Sequence, residues 1–188
     1  MRRVHKLLGQ TRLCFILSAF LIMGFSCPTY GADGDGPHWG FSAAGGWGIG
    51  DAPELFVISA LPSVGWQIHQ LWDLELEGNI SYYPVKHSGN IYALGANVNV
   101  LFKPFQFKNG ISPFIIGGGG LAYNNGNGRL NLIGDSHLGG VLQAGGGVLF
   151  PAGKNWKMRI ECRAQHISDP FVYHDGFETV SFLLGISY

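Results

Sequence analysis

The sequence contains few charged residues, few cysteines and few long apolar segments. Charged residues make up 13% of the 188-residue chain, and twelve basic residues balance twelve acidic ones. This balance gives no electrostatic footprint for nucleic acid, so nucleic-acid binding is not expected. The histidines are scattered without the spacing of metal ligands. The glycine run at residues 117–120 is not followed by Lys-Ser/Thr, so it is not a phosphate loop.

The one long apolar run belongs to an N-terminal segment, residues 1–31, that has the pattern of a secretory signal peptide. A basic region precedes the run, and residues 13–25 form an apolar core too short to cross a bilayer. Small residues place the expected cleavage after Gly31, with cleavage after Ala32 as the alternative. The sequence therefore predicts an exported protein whose folded part spans residues 32–188.

Removal of this leader changes both the charge and the cysteine content. It takes away four basic residues and no acidic ones, so eight basic residues remain against twelve acidic ones, a net charge of −4. It also takes away Cys14 and Cys27, which leaves Cys162 alone and excludes an intramolecular disulfide. The stability of the mature protein must then come from the fold itself.

The remainder of the chain has strand character and no second apolar stretch long enough for a transmembrane helix. Turn-forming groups rich in Gly, Pro, Asn and Ser divide it into eight stretches. These stretches lie near residues 38–50, 54–68, 72–84, 91–103, 111–124, 137–150, 155–168 and 178–188. Eight strands separated by turns at regular intervals predict either an up-and-down β-barrel or a β-sandwich.

Side-chain alternation separates an apolar face from a polar face on several of these strands. The even positions from Trp156 to Ala164 are apolar, whereas the odd positions between them carry Lys, Arg and Glu. Alternation alone does not say which face lies inside. Aromatic residues near strand ends, glycine runs suited to a narrow interior and the terminal Tyr188 favour an eight-stranded antiparallel transmembrane β-barrel.

In such a barrel the polar face points inward, where residues of both charge signs are expected to form a network. The charged residues on two of the strands are Glu75, Glu77, Lys157, Arg159, Glu161 and Arg163. Because side chains fill the interior of an eight-stranded barrel, no open pore is expected.

Three polar residues near the C-terminus interrupt the apolar outer face. Side chains two residues apart lie on the same face of a strand. His166 and Ser168 therefore share the face of Trp156, and Glu178 shares the face of Tyr188. With both chain ends in the periplasm, the last hairpin faces outside the cell, which places these side chains at the outer-leaflet end. A base beside a hydroxyl, with a carboxylate on the partner strand, is the arrangement of a nucleophile, a general base and an orienting acid. A polar rim that only marks the edge of the hydrophobic band is the alternative.

The motif His166-x-Ser168, followed by a short loop, Asp-Gly-Phe-Glu at residues 175–178 and a terminal apolar strand, resembles the PagL-type lipid A 3-O-deacylases. This resemblance implies an outer-membrane barrel with a Ser-His-Glu triad on its lipid-facing wall and without a metal or cofactor. Ser168 is then the nucleophile, His166 the general base and Glu178 the orienting acid. The implied reaction removes a 3-hydroxyacyl chain from the 3-position of lipid A in lipopolysaccharide. Outer-membrane lipids surround the protein, and a homodimer is left open.

Two positions depart from the family pattern. The family usually has Asn directly after the serine, where this chain has Asp169, and Asn four residues before the glutamate, where it has His174. An oxyanion hole needs hydrogen-bond donors, which the backbone N–H of Asp169 and the ring of His174 can supply. These two residues and Gly176 are the candidates for oxyanion stabilisation or substrate positioning.

Two functions of other classes are left open by the sequence. A non-catalytic structural or adhesion barrel would use the same fold without the chemistry. A small-solute channel would need a conducting lumen, which the expected barrel size disfavours.

Overall fold

The computed structural model describes residues 36–49, 55–84, 90–125, 137–168 and 176–188, so the predicted signal peptide lies outside the described residues. Eight strands lie within the unit Pro37–Tyr188. They are β1 (His38–Ile49), β2 (Phe56–His69), β3 (Trp72–Tyr83), β4 (Ile91–Phe102), β5 (Ser112–Asn124), β6 (Leu138–Pro151), β7 (Lys157–Ser168) and β8 (Gly176–Ser187). Each predicted strand is present, with its ends one or two residues from the expected ones at most.

The strands form a closed antiparallel barrel in which each strand pairs with the next one along the chain. The last strand closes on the first, with a register that runs from Gly40 opposite Ser187 to Ile49 opposite Glu178. Closure leaves no free strand edge, so the backbone groups of the sheet are satisfied within the barrel, as a bilayer requires. The predicted eight-stranded barrel is confirmed, and the sandwich is excluded.

The outer wall of the barrel is apolar. Large side chains that stay exposed on it include Phe41, Ile58, Ile80, Ile115, Leu142, Phe182 and Leu184. Soluble monomers rarely expose a contiguous apolar surface of this extent, whereas lipid-facing walls do. Within the described residues, no helix has the length and apolarity needed to cross a membrane.

Aromatic side chains lie on the outer wall near both ends of the barrel. The proximal end, where the chain enters and leaves the barrel, carries Trp39, Trp66, Trp72, Trp156 and Tyr188. The distal end, where β1, β3, β5 and β7 terminate, carries Trp47, Tyr82, Tyr92 and Tyr123. Some of these rings pair across strands, such as Trp156 with Tyr188 at 5.0 Å and Tyr82 with Tyr92 at 5.3 Å between centroids. Two aromatic belts of this kind are typical of the interfaces of a membrane barrel.

A network of buried charges crosses the centre of the lumen from β3 to β7. Arg159 Nη1 lies 2.7 Å from Glu75 Oε2, and Arg163 Nη1 lies 2.7 Å from Glu77 Oε1. Glu161 accepts hydrogen bonds from both arginines and so joins the two pairs. All five side chains are buried, and each charge has a partner of opposite sign, which is the condition under which buried charges are tolerated.

Neutral amides extend this network around the inner wall. Gln143 donates to Asn99 Oδ1 at 2.6 Å and to Glu77 Oε1 at 3.3 Å. Lys157, which the sequence grouped with these charges, is instead exposed at the start of β7. Lys157 is the first residue of β7, at the proximal end of the barrel. Its side chain therefore lies beyond the buried charges of the lumen.

An apolar layer fills the distal end of the interior. Its buried residues are Leu55, Val57, Tyr83, Ile91, Ala122, Val141, Ile167 and Phe177. Ile167 and Phe177 alternate with the outward-facing residues of the last hairpin. The outer surface of that hairpin therefore rests on a packed core.

Candidate active site

The last hairpin places the three predicted catalytic residues next to one another on the outer wall. His166 lies directly opposite Glu178, and Ser168 lies directly opposite Gly176. Alternation turns all four residues outward, because their neighbour Ile167 is buried in the interior. Side chains on directly opposite positions of antiparallel strands have Cβ atoms about 4.5–5.5 Å apart, which is contact distance for a histidine and a glutamate.

His166 and Glu178 form a hydrogen-bonded pair. His166 Nδ1 lies 3.1 Å from Glu178 Oε1. The side chains are 43% and 48% exposed, so the pair lies on the surface rather than in the lumen. When Nδ1–H donates to the carboxylate, Nε2 is left with its lone pair free, which is the form that a general base needs.

Gly176 provides the space in which the imidazole lies. A Cβ atom at this position would lie 2.9 Å from His166 Cε1 and 3.1 Å from His166 Nε2. The ring therefore extends over Gly176, and its Nε2 lies on the side of the ring nearest the Ser168–Gly176 pair. The sequence suggested Gly176 for oxyanion stabilisation or substrate positioning. The geometry adds that the absence of a side chain at Gly176 leaves room for the imidazole ring of His166.

Ser168 is half-buried on the outer face, two residues beyond His166 on the same strand. Among the described residues, no hydrogen bond joins the Ser168 hydroxyl to the imidazole. In unliganded enzymes such bonds are often long and tighten only when the substrate is bound. Ser168 also faces Gly140 on β6 and Gly176 on β8, so no side chain crowds its hydroxyl from either neighbouring strand.

Two apolar side chains flank the site, and sequence analysis did not single them out. Leu142 of β6 lies opposite His166 and is 67% exposed. Ile49 of β1 lies opposite Glu178 and is 44% exposed. Leu142 is next to the site because of the register between β6 and β7, and Ile49 because β1 closes the barrel against β8. Neither relationship can be predicted from the local sequence.

The remaining predicted positions lie outside the described residues. Asp169 and His174 belong to the connection between β7 and β8, so their role in an oxyanion hole stays a prediction. The described part of the chain contains no group of three His, Cys, Asp or Glu side chains that could hold a metal ion.

A closed barrel with an apolar wall, aromatic belts and an acid–base pair on its outer surface belongs to the class of bacterial outer-membrane β-barrels. The model of the lipid A 3-O-deacylase (PagL) family matches residues 57–187, more than half of the chain. The chain belongs to this family, and its location is the bacterial outer membrane. The resemblance drawn from the C-terminal motif is thereby confirmed.

Solved structures share this fold. The crystal structure of the outer membrane enzyme PagL superposes with a TM-score of 0.60 at 22% sequence identity, covering 78% of this chain and 97% of that chain. Neisserial surface protein A superposes with a TM-score of 0.59 at 13% identity, covering 84% of this chain and 98% of that one. At these identities the likenesses show the fold alone. No curated protein sequence matches the chain.

Proposed function

We propose that this protein is an outer-membrane esterase that removes a 3-O-linked hydroxyacyl chain from lipid A. The observation that carries the proposal is the His166–Glu178 pair beside Ser168, on the lipid-facing wall of a member of the lipid A 3-O-deacylase family. A hydrolase for a water-soluble substrate would gain nothing from a site on this wall. A membrane lipid reaches the same site by lateral diffusion.

The proposed reaction uses the three side chains in turn. Ser168 Oγ attacks the ester carbonyl carbon, and His166 Nε2 takes the hydroxyl proton while Glu178 stabilises the resulting imidazolium. The tetrahedral intermediate collapses, and the 3-oxygen of lipid A leaves with the proton from Nε2. Water then attacks the acyl-serine ester with His166 again as base. This step releases the 3-hydroxy fatty acid and restores Ser168.

The negative charge that develops on the carbonyl oxygen needs donors near Ser168. We assign this role to the backbone N–H of Asp169 and the ring of His174, in the β7–β8 connection. Removing a single oxyanion donor typically lowers kcat by about 10²–10³-fold. His174→Ala is therefore the variant that separates this role from a merely structural one, because the triad itself stays complete.

The site is assigned to the outer leaflet, where lipopolysaccharide resides. We place the proximal end, where the barrel chain begins and ends, at the periplasmic side, so that the distal end with the last hairpin faces outside the cell. The ester linkage at the base of a 3-O-acyl chain lies near the headgroup boundary of the lipid. The distal aromatic belt marks that same level on the barrel.

The test is to incubate purified protein in detergent with lipopolysaccharide and to weigh the lipid A by mass spectrometry. The wild-type protein should remove one 3-hydroxyacyl mass, and Ser168→Ala should remove none. Ser187→Ala, at the far end of the neighbouring strand, serves as the matched control and should retain activity. Unchanged lipid A with the wild-type protein would instead favour a non-catalytic structural or adhesion barrel. Light scattering on the same preparation tests the homodimer.

A further inference from the structure

The connections between strands differ in charge at the two ends of the barrel. Three lysines and no acidic residue occur in the proximal connections, which are residues 70–71, 103–111 and 152–156. Five acidic residues and two basic ones occur in the distal connections, which are residues 50–55, 84–90, 125–137 and 169–175. The expected mature chain has a net charge of −4, so overall composition does not account for the basic proximal end.

Two of the three proximal lysines are available to a ligand. Lys103 Nζ lies 2.7 Å from Asp73 Oδ1, so its charge is already paired. Lys108 and Lys154 are exposed, and neither forms an ion pair with any residue that the structure describes. Their charges are therefore open to an anionic group from outside the chain.

Two exposed phenylalanines accompany Lys108 in the connection between β4 and β5. Phe105 and Phe107 are each 53% exposed, and their rings pack edge to face with centroids 5.1 Å apart. The backbone N–H of Phe107 donates to the Ile111 carbonyl at 2.8 Å, and the N–H of Gly110 donates to the Phe107 carbonyl at 2.9 Å. Gly110 has a φ of 82°, a left-handed conformation that glycine adopts without strain. A hydrogen-bonded turn thus presents the two aromatic rings.

This turn lies against the start of the connection between β6 and β7. A Cβ atom at Gly110 would lie 3.1 Å from Pro151 Cγ, so the backbone of one connection meets the ring at the edge of the other. The N–H of Ala152 donates to the Trp156 carbonyl at 2.8 Å and closes the turn that contains Lys154. The two connections therefore form one surface. We name it the aromatic–lysine patch, and its residues are Phe105, Phe107, Lys108, Lys154 and Trp156.

The aromatic–lysine patch lies at the level of the lipid headgroups. Trp156 packs on Tyr188 with ring centroids 5.0 Å apart, within the proximal aromatic belt that marks the membrane interface. Lys154 is two residues from Trp156, so the two Cα atoms are at most about 7 Å apart. A charge at this distance is within the Debye length of about 8 Å at physiological ionic strength. Headgroup charges therefore act on the patch with little screening.

We infer that the aromatic–lysine patch binds an anionic phospholipid of the inner leaflet. The periplasmic side assigned to the proximal end places the patch on that leaflet. The lysines match the phosphate, and the phenylalanines match the boundary between headgroups and acyl chains, where aromatic rings are favoured. A soluble anion would engage the lysines and leave both phenylalanines in water, so the lipid is the occupant that uses the whole patch. The inference does not depend on the proposed esterase function.

Native mass spectrometry of the protein in detergent tests this inference, with phosphatidylglycerol and phosphatidylcholine of the same acyl chains as probes. The wild-type protein should bind phosphatidylglycerol more tightly, and the difference should shrink as the salt concentration rises. Lys108→Gln combined with Lys154→Gln should weaken phosphatidylglycerol binding by about 5-fold for each lysine and leave phosphatidylcholine binding unchanged. Equal affinity of the wild-type protein for the two lipids would overturn the inference.

A second double variant is the matched control. Lys86→Gln combined with Arg129→Gln removes the same charge from the distal connections and should leave phosphatidylglycerol binding at the wild-type value. An equal loss in the two double variants would show that only net charge matters, and the patch would be overturned. Cooperative unfolding of each variant in detergent shows that the barrel is intact.

The phenylalanines provide a test of the apolar half of the patch. Phe105→Ala combined with Phe107→Ala should weaken the binding of both lipids, because contact with acyl chains does not depend on the headgroup. Displacement of phosphatidylglycerol by glycerol phosphate at equal concentration would identify a site for free phosphate groups and overturn the inference. A periplasmic protein that co-purifies with wild type and is lost from the phenylalanine variant would also overturn it, if the lysine variant binds phosphatidylglycerol normally.

Discussion

His166 Nδ1 lies 3.1 Å from Glu178 Oε1 although the two residues are 12 positions apart and belong to different strands. The contact follows from the register of β7 with β8, in which the two residues are direct partners. Both strands also pair on their other side, β7 with β6 and β8 with β1. His166 and Glu178 are thus held by a closed sheet, which fixes the geometry of a side-chain pair more rigidly than a loop does.

The first prediction concerns the charge of Glu178. Glu178→Gln keeps the size of the side chain but removes the negative charge that stabilises the imidazolium, and its amide can donate to Nδ1 and favour the wrong tautomer. We expect kcat on lipid A to fall by about 10²–10⁴-fold, with little change in KM. Glu178→Asp, which keeps the charge on a shorter side chain, should lose less. Equal activity of wild type and Glu178→Gln would remove Glu178 from the mechanism.

The second prediction concerns the space above Gly176. Gly176→Ala places a methyl group 2.9 Å from His166 Cε1, so the ring must turn away from its present position. A displacement of a catalytic group by about 1 Å can cost about 10²-fold, so we expect a loss of that size in kcat. Gly45→Ala on β1 is the control, because a Cβ atom there has no neighbour within 4 Å. Similar activities of the two variants would contradict the role given to Gly176.

Much of the fold was predictable because alternation and turn chemistry act locally. The alternation of side chains from Trp156 to Ser168 predicted which face of β7 points outward. The burial of Arg159, Glu161 and Arg163 on the other face confirms this prediction. Local sequence did not reveal which inner residues meet across the lumen. Glu77 and Arg163 are 86 positions apart, and their contact depends on strand number and barrel closure.

The candidate site was likewise predictable where it depends on side-chain alternation, and not where it depends on strand pairing. The parity of His166, Ser168 and Glu178 placed them on one face, and the structure brings His166 and Glu178 into hydrogen-bond distance. The sequence did not indicate that the ring would lie over Gly176, because that depends on which residue faces Ser168. Nor did it identify Leu142, which enters the site only through the β6–β7 register.

The third prediction concerns the buried charges in the lumen. Arg163→Met leaves Glu77 and Glu161 without one of their cationic partners in a buried setting. Breaking a buried ion pair by removing one partner typically costs about 3–5 kcal/mol, and we expect the free energy of unfolding to fall by that amount. Urea titration in detergent, followed by tryptophan fluorescence, measures it. Lys157→Met, on the same strand but exposed, should stay within about 0.5 kcal/mol of wild type.

A double variant sharpens this result. Adding Glu77→Gln to Arg163→Met removes one of the stranded carboxylates, so the double variant should be more stable than the sum of the two single losses predicts. Strict additivity would show that the side chains do not interact, contrary to the 2.7 Å contact between them.

The last prediction separates this protein from a channel. Side chains from opposite walls meet inside the barrel, as Arg163 and Glu77 do at 2.7 Å, and Gln143 also reaches Glu77. An ion would have to displace these paired groups from a lumen that an eight-stranded barrel leaves only wide enough for side chains. Protein reconstituted in a planar bilayer should therefore give no discrete conductance steps, under conditions in which a general porin gives them. Steps that persist after the removal of contaminating porins would support the small-solute channel and would show that the network opens in the membrane.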